Sequence, residues 1–473
     1  MQIIRYVGKK TCVDPSYAAG IEASGAAVVD TISDAANVTL TWSRDGGFVW
    51  VPLRDMWRDF LDLAVSIYIG DELDARSDSV DNWTRVFRLV VPVEDPPLWQ
   101  GADGLLSQTL SFLSGDIYEF EWPKRSALPR RVHHRRKLPR GYDTVCLFSG
   151  GLDSLLGAYR LLEGGRKVLL VGHQAEGIAS SAQKDLARVL RRLFPDRCTF
   201  IQCRVARSPR DVPKIELPEK VEDSHRTRSF LFLALAVAVA NAAHVDEIVI
   251  AENGLIALNI PIQPSRLGSL STRTAHPIYL QALCEFLSRT ALFGGRLWNP
   301  FLFESKTDVV SNLPTELRDA AVRSVSCSHG GRVRGRSSAD GRNHCGYCVP
   351  CLYRRAAMMG VGLDSGAHYV HDVFRNLSGL TDIQQVDFRA LVGFAQRLAA
   401  SSPTALERLV LAHGPFSPEL AERIGPSAAS DLTPWTRMLA RWAAHFLDLV
   451  IAASSAATLR TLSLSQPRKK VAP

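Results

Sequence analysis

From Tyr142 onward short apolar runs alternate with helical stretches, and that alternation leaves few architectures open. Thr144-Val-Cys-Leu-Phe148, Lys167-Val-Leu-Leu-Val171, Thr199-Phe-Ile-Gln-Cys203 and Glu247-Ile-Val-Ile-Ala251 read as strands. Residues 155–163, 180–193 and 228–243, which lie between them, read as helices, the first stopped by Gly164-Gly165. Strands that alternate with helices build a parallel sheet covered on both faces. Ligands of such sheets gather at the carboxyl ends of the strands.

The first of those ends carries Ser149-Gly-Gly-Leu-Asp-Ser154, set between a strand and a helix. Free amides at a helix start face outward with the positive end of the helix dipole, which favours anions. Gly150 and Gly151 let the backbone approach a phosphate without a Cβ in the way, and Ser149 and Ser154 can donate hydroxyl hydrogen bonds. Asp153 is out of place beside phosphates unless it holds Mg²⁺ or orients the loop. No G-x-x-x-x-G-K-[ST] occurs, and no G-x-G-x-x-G follows the strand, so neither a Walker loop nor a dinucleotide fingerprint is expected.

Nine cysteines in a chain of 473 residues do not read as a disulfide framework. Four of them, Cys327, Cys345, Cys348 and Cys351, are spaced to meet, and four thiolates suit tetrahedral Zn²⁺. An iron–sulfur run would want a further cysteine where Arg355 stands. A full set of four ligands leaves no open position, so the expected role is structural. His329 and His344 lie close in sequence. Residues 328–344 form a glycine- and arginine-rich arm that could gate a substrate or hold a partner.

The length suggests two to four domains. Residues 1–123 read as an α+β accessory domain, with strands at 38–42, 48–53 and 86–93 and a helix at 56–69 whose Trp57, Phe60, Leu61 and Val65 share a face. Residues 124–141 read as a basic linker, 142–365 as the α/β core with the cysteine cluster, and 366–473 as a helical C-terminal region. Trp435, Leu439, Trp442 and Phe446 mark a core stripe there, and the last seven residues read as a disordered tail. The net charge is +8, and eight basic residues with no acid fall between Lys124 and Arg140, so the remainder is near neutral. That disfavours a surface built for duplex nucleic acid. No secretion signal is evident at the N-terminus, and the longest apolar run, 230–240, is too short for a membrane span. A cytoplasmic protein without membrane partners is therefore the expectation.

The hexapeptide resembles the PP-loop of the ATP pyrophosphatases, whose fold is an adenine nucleotide α-hydrolase-like α/β core. Joined to the late C…C-x2-C-x2-C cluster, it resembles the 7-cyano-7-deazaguanine synthase (QueC) family over about residues 142–365. Arg228-Ser-Phe-Leu-Phe-Leu is similar to that family's arginine-led helix, and Asn299-Pro300 followed by Ser305-Lys306-Thr307 is similar to its late lysine segment. The resemblance implies that Ser149, Gly150, Gly151, Leu152, Asp153 and Ser154 bind the phosphates of ATP and that Lys306 stabilises charge during cleavage between the first and second phosphates. It implies that Arg228 stands at the mouth of the site and that the four cysteines hold Zn²⁺. The family activates 7-carboxy-7-deazaguanine as an adenylate and then adds ammonia.

The substrate segment departs from that pattern. Glu252-Asn253-Gly254, Asn259-Ile-Pro261 and Ser271-Thr-Arg273-Thr-Ala-His276-Pro277 replace it, so Glu252, Asn253, Asn259, Arg273 and His276 are the candidates for an altered pocket, His276 as a base. The added front region makes the chain similar to QueC-like proteins of bacterial antiviral operons, for which the resemblance implies transfer of the deazaguanine acyl group to an amine on a partner protein. Three alternatives stay open: an ordinary synthase that uses ammonia, a tRNA-modifying PP-loop enzyme, and a nucleotide-sensing module without chemistry.

Overall fold

The computed structural model describes residues 29, 31, 36–45, 47–125, 136–174, 178–207, 219–222, 224–262, 273–329, 344–364, 366–413 and 432–464. Most of the basic stretch, the arginine-rich arm from 330 to 343, Ser271 and the tail lie outside them.

Ten strands are described. β1 (Val38–Arg44), β2 (Gly47–Trp50), β3 (Val86–Val90), β4 (Ile117–Glu121) and β5 (Arg136–Lys137) come first, and β6 (Thr144–Leu147), β7 (Val168–His173), β8 (Cys198–Arg207), β9 (Glu247–Val249) and β10 (Arg296–Trp298) follow. Eleven helices are used below. α1 is Asp55–Leu73, α2 Asp103–Ser114, α3 Leu152–Glu163, α4 Ile178–Leu193, α5 Arg228–Ala243 and α6 Gly254–Leu258. α7 is Pro277–Arg289, α8 Lys306–Ser311, α9 Val349–Gly360, α10 Asp382–Ala400 and α11 Thr433–Ala453.

The central sheet runs β10-β9-β6-β7-β8-β1-β2-β5. Its first five strands are mutually parallel, as strand–helix alternation requires. Successive residues of the central strands feed opposite faces, as the two-residue period of a strand demands. Val145, Leu147, Leu169 and Val171 join the core under α5 and α1, whereas Cys146, Phe148, Val168 and Leu170 join the core under α3 and α4. The chain passes from β6 outward through β7 to β8 and then returns to place β9 on the other side of β6. The strand order therefore reverses between β6 and β9, and the crevice outside a reversal is where α/β sheets bind ligands.

The front region is continuous with this sheet. β1 pairs antiparallel with β8 from Val38–Arg207 to Arg44–Ile201. α1 packs on α5, with the Phe60 ring edge-on to Phe230 at 5.6 Å. The one-faced pattern expected of α1 is replaced by burial from Asp59 to Leu73, with α5 packed along it. Arg125, expected in a solvated linker, is buried and sits 2.9 Å from Asp59. β3 and β4 form a separate parallel pair spanned by α2.

α5 is apolar all round and buried, in keeping with its position between sheet and α1. No helix among the described residues is long and apolar enough to cross a membrane. The C-terminal region is helical, and Trp435, Leu439, Trp442 and Phe446 are all buried.

Candidate functional site

The loop after β6 is held from three sides. Gly150 has φ +81°, and a Cβ there would stand 2.9 Å from the Gln183 amide nitrogen, so the left-handed turn and the close approach of α4 both call for glycine. The Gln183 side chain, buried under the loop, donates to the carbonyls of Ser149 (3.3 Å) and His173 (3.2 Å) and accepts from Gln202 at 2.8 Å. The Ser149 hydroxyl accepts from the Gly151 amide at 3.3 Å and donates to Ser154 at 3.2 Å, and Ser154 donates to the Gly151 carbonyl at 3.0 Å. α3 then starts at Leu152 with no capping side chain, which leaves its first amides facing outward at the positive end of the helix.

Asp153, in the first turn of α3, is 5% exposed. Lys306 Nζ donates to its Oδ1 at 2.6 Å, and Asn253 Nδ2 donates to its Oδ2 at 2.7 Å. Asn253 follows β9, so the contact spans the reversal between β6 and β9. Burial raises the Asp153 pKa, but the Lys306 ammonium and the hydrogen bonds from Lys306 and Asn253 outweigh it and hold the carboxyl below its ordinary value. Glu252 beside it shares a hydrogen bond with Asp153 and forms no ion pair among the described residues. Burial, reinforced by the Asp153 charge and partly opposed by Lys306, pushes it up to about 8. One carboxylate is thus held ionised and its neighbour protonated at neutral pH.

Lys306 owes its place to the start of α8. Ser305 and Asp308 form a capping box, and Asp308 also accepts two hydrogen bonds from Arg441 of α11, at 2.8 and 2.9 Å. The buried Asn299 fixes the opposite wall: its amide donates to the Glu252 carbonyl at 2.6 Å and its oxygen accepts from the Glu252 amide at 3.2 Å.

The four cysteines meet as their spacing predicts. The sulfurs of Cys327, Cys345, Cys348 and Cys351 all lie within 4.8 Å of one another. Backbone amides of His329, Cys345 and Cys348 point at these sulfurs at 3.4 Å, as befits thiolates. The donor set fits a tetrahedral metal such as Zn²⁺, with all four positions filled by protein. His329 Nδ1 stands 3.7 Å from the Cys345 sulfur, and His344 accepts from the Ser326 amide at 3.3 Å. The segment leading into the cluster reaches the loop: the Val325 amide donates to the Gly150 carbonyl at 2.9 Å. Arg354 and Arg355 act as ties. Arg354 donates to Ser324 and to the carbonyls of Ala321 and Val322, and Arg355 pairs with Asp364 and Asp372.

Of the residues singled out in the sequence, the structure brings the hexapeptide, Lys306, Glu252 and Asn253 together. Others sit apart from that group. Arg228 opens α5, with its guanidinium 5.0 Å above the Phe232 ring. Asn259 is the left-handed C-cap of α6. Arg273 donates to the Phe112 carbonyl at 2.6 Å and lies over its ring. His276 caps α7 by accepting from the Ile278 amide at 3.3 Å, and its ring packs on Phe112. Burial lowers the His276 pKa to about 3, so it is neutral at physiological pH. Neither Arg273 nor His276 hydrogen-bonds to Asp153, Glu252 or Lys306. Gln183 was missed by sequence reasoning; its signal is a polar residue on the apolar stripe Ala182, Leu186, Ala187 and Leu190.

No protein-family model matches the chain, and no curated protein and no solved structure matches it.

Proposed function

We propose that the chain is an ATP-dependent adenylating ligase. In this reading it activates the carboxylate of a 7-carboxy-7-deazaguanine-type heterocycle and passes the acyl group to an amine, carried by a partner protein in antiphage defence. The observation that supports it most is the Lys306–Asp153 pair, set beside an uncapped helix start at the reversal of the sheet.

A carboxylate oxygen of the acid attacks the α-phosphorus of ATP. The bond from that phosphorus to the bridging oxygen of the β-phosphate breaks, and pyrophosphate leaves with the electron pair. The first amides of α3 and the hydroxyls of Ser149 and Ser154 hold the phosphate oxygens. Lys306 offsets the charge that grows on the departing pyrophosphate. Both carboxylate oxygens of Asp153 accept hydrogen bonds, from Lys306 and Asn253, so Asp153 positions Lys306 and does not fit the role of a metal ligand in this arrangement. Mg²⁺ belongs to this reading as the counter-ion of the ATP phosphates.

In the second half the amine nitrogen attacks the acyl carbon, the bond from that carbon to the AMP oxygen breaks, and the amine loses a proton. Glu252, once ionised, is the carboxylate to take it, because Asp153 is already paired with Lys306. Zn²⁺ at the four cysteines would take no part in either step, because no coordination position is open.

The test combines the chain with ATP, Mg²⁺, the deazaguanine acid and whatever protein co-purifies with it. Release of AMP and pyrophosphate, with a mass gain of one deazaguanine acyl group on the partner, is the expected result. No AMP or pyrophosphate with any deazaguanine acid, partner present or absent, overturns the proposal. Nitrile formation from free ammonium would replace the protein acceptor by ammonia.

A further inference from the structure

A second cluster of buried polar groups lies at the carboxyl end of β7, next to the loop. His173, the last residue of β7, is 2% exposed, and neither of its ring nitrogens has a hydrogen-bond partner among the described residues. Its backbone carbonyl shares the Gln183 amide with the Ser149 carbonyl, which ties it directly to the hexapeptide. Two aromatic rings flank it edge-on, Tyr68 of α1 and Phe232 of α5, both at 5.5 Å. Arg228 lies over the same Phe232 ring, forms no ion pair among the described residues, and has a buried Nε without a partner.

Buried polar atoms without partners are rare and costly. Here one cation and one imidazole share the same small apolar surround. Glu72 favours the Arg228 charge through space but forms no ion pair with it among the described residues. Glu72 is engaged by Lys220 at 3.5 Å and by His225 at 3.6 Å. Burial, with Arg228 and His225 adding to it, lowers the His173 pKa to about 3, so its ring is neutral and offers one donor and one acceptor. The cluster is also held firmly. Asp71 of α1 accepts from both the amide and the hydroxyl of Thr227, each at 3.0 Å, and so fixes the turn that presents Arg228.

We infer that His173, Arg228, Tyr68 and Phe232 form the recognition subsite for a planar heterocyclic acid, with Arg228 facing its carboxylate, His173 its donor–acceptor edge and the two rings its flat body. The inference rests on the adenylation reading and adds to it the place where the acid binds. It also gives the front region a part in the site, since Tyr68 and Asp71 both come from α1.

The experiment measures equilibrium binding of two probes to the full chain: 7-carboxy-7-deazaguanine, and the non-cleavable ATP analogue with a methylene between its α- and β-phosphates. His173→Phe and Arg228→Met should each weaken the acid at least tenfold and change nucleotide affinity less than twofold. If either variant unfolds, deuterium exchange on the unmodified chain decides: the acid should slow exchange in segments 66–74, 171–174 and 226–232, and the nucleotide in 149–155. Unchanged acid affinity in the variants, no acid binding by the unmodified chain, or protection confined to other segments overturns the inference. Failure of the nucleotide to bind, with the acid still protecting these three segments, overturns the adenylation reading and leaves the subsite standing.

Discussion

The amide of Val325 donates to the carbonyl of Gly150 at 2.9 Å, two residues ahead of the metal-type ligand Cys327. The cysteine cluster and the loop are thereby one mechanical unit. Cluster geometry sets the path of residues 324–327, and that path sets one side of the loop.

Removal of metal should therefore be felt at the loop. A chelator, or Cys348→Ser, is expected to lower the melting temperature and to weaken binding of the non-cleavable ATP analogue by about tenfold, roughly 1.4 kcal/mol. Elemental analysis should give one zinc per chain beforehand. Unchanged nucleotide affinity after complete metal loss would separate the two sites.

Lys306 and Asp153 form a buried pair, and each leaves an uncompensated charge when the other is removed. Lys306→Met should cost about 3–5 kcal/mol in urea unfolding. The double variant Lys306→Met with Asp153→Asn should recover much of that stability and none of the activity. Additive losses in the double-mutant cycle would mean that the two residues are not coupled.

Glu252 gives the free protein a pH signature. Its folded pKa, pushed up to about 8 by burial and by the Asp153 charge, lies above its ordinary value of 4.5. Between those limits the folded state keeps a proton that the unfolded state has lost, so this group makes stability fall as pH rises from about 4.5 to about 8. Glu252→Gln should flatten that slope, as read from melting temperature against pH. The same variant should slow amine transfer more than adenylate formation.

Gly150→Ala places a side chain at φ +81° and against Gln183, whereas Gly165→Ala has a similar φ of +86° with open space around it. The backbone cost of about 1–3 kcal/mol is common to both. Only Gly150→Ala should add a steric loss and abolish nucleotide binding. Equal effects in chemical denaturation and nucleotide titration would show that Gln183 yields freely.

The sequence by itself determined the parts whose physics is local. Strand–helix alternation forced the parallel core, the glycines and serines of 149–154 marked the tight turn that opens a helix, and the spacing of Cys345, Cys348 and Cys351 announced sulfurs that could hold a metal. Each is a property of a few neighbouring residues, so it survives without knowledge of the rest of the chain. Tertiary structure alone decided which distant residues complete them. Lys306 reaches Asp153 only because the strand order reverses between β6 and β9 and the chain returns through β10. β1 joins the sheet because β8 would otherwise end it with unpaired backbone groups, and nothing in 38–44 names that partner. Arg273 and His276, close in sequence to the altered segment, pack instead on Phe112, because α7 lies against α2. Along the chain His173 draws no notice, and Arg228 stands out only through the family resemblance. Only folding sets the His173 ring and the Arg228 Nε, without hydrogen-bond partners among the described residues, around the same ring of Phe232.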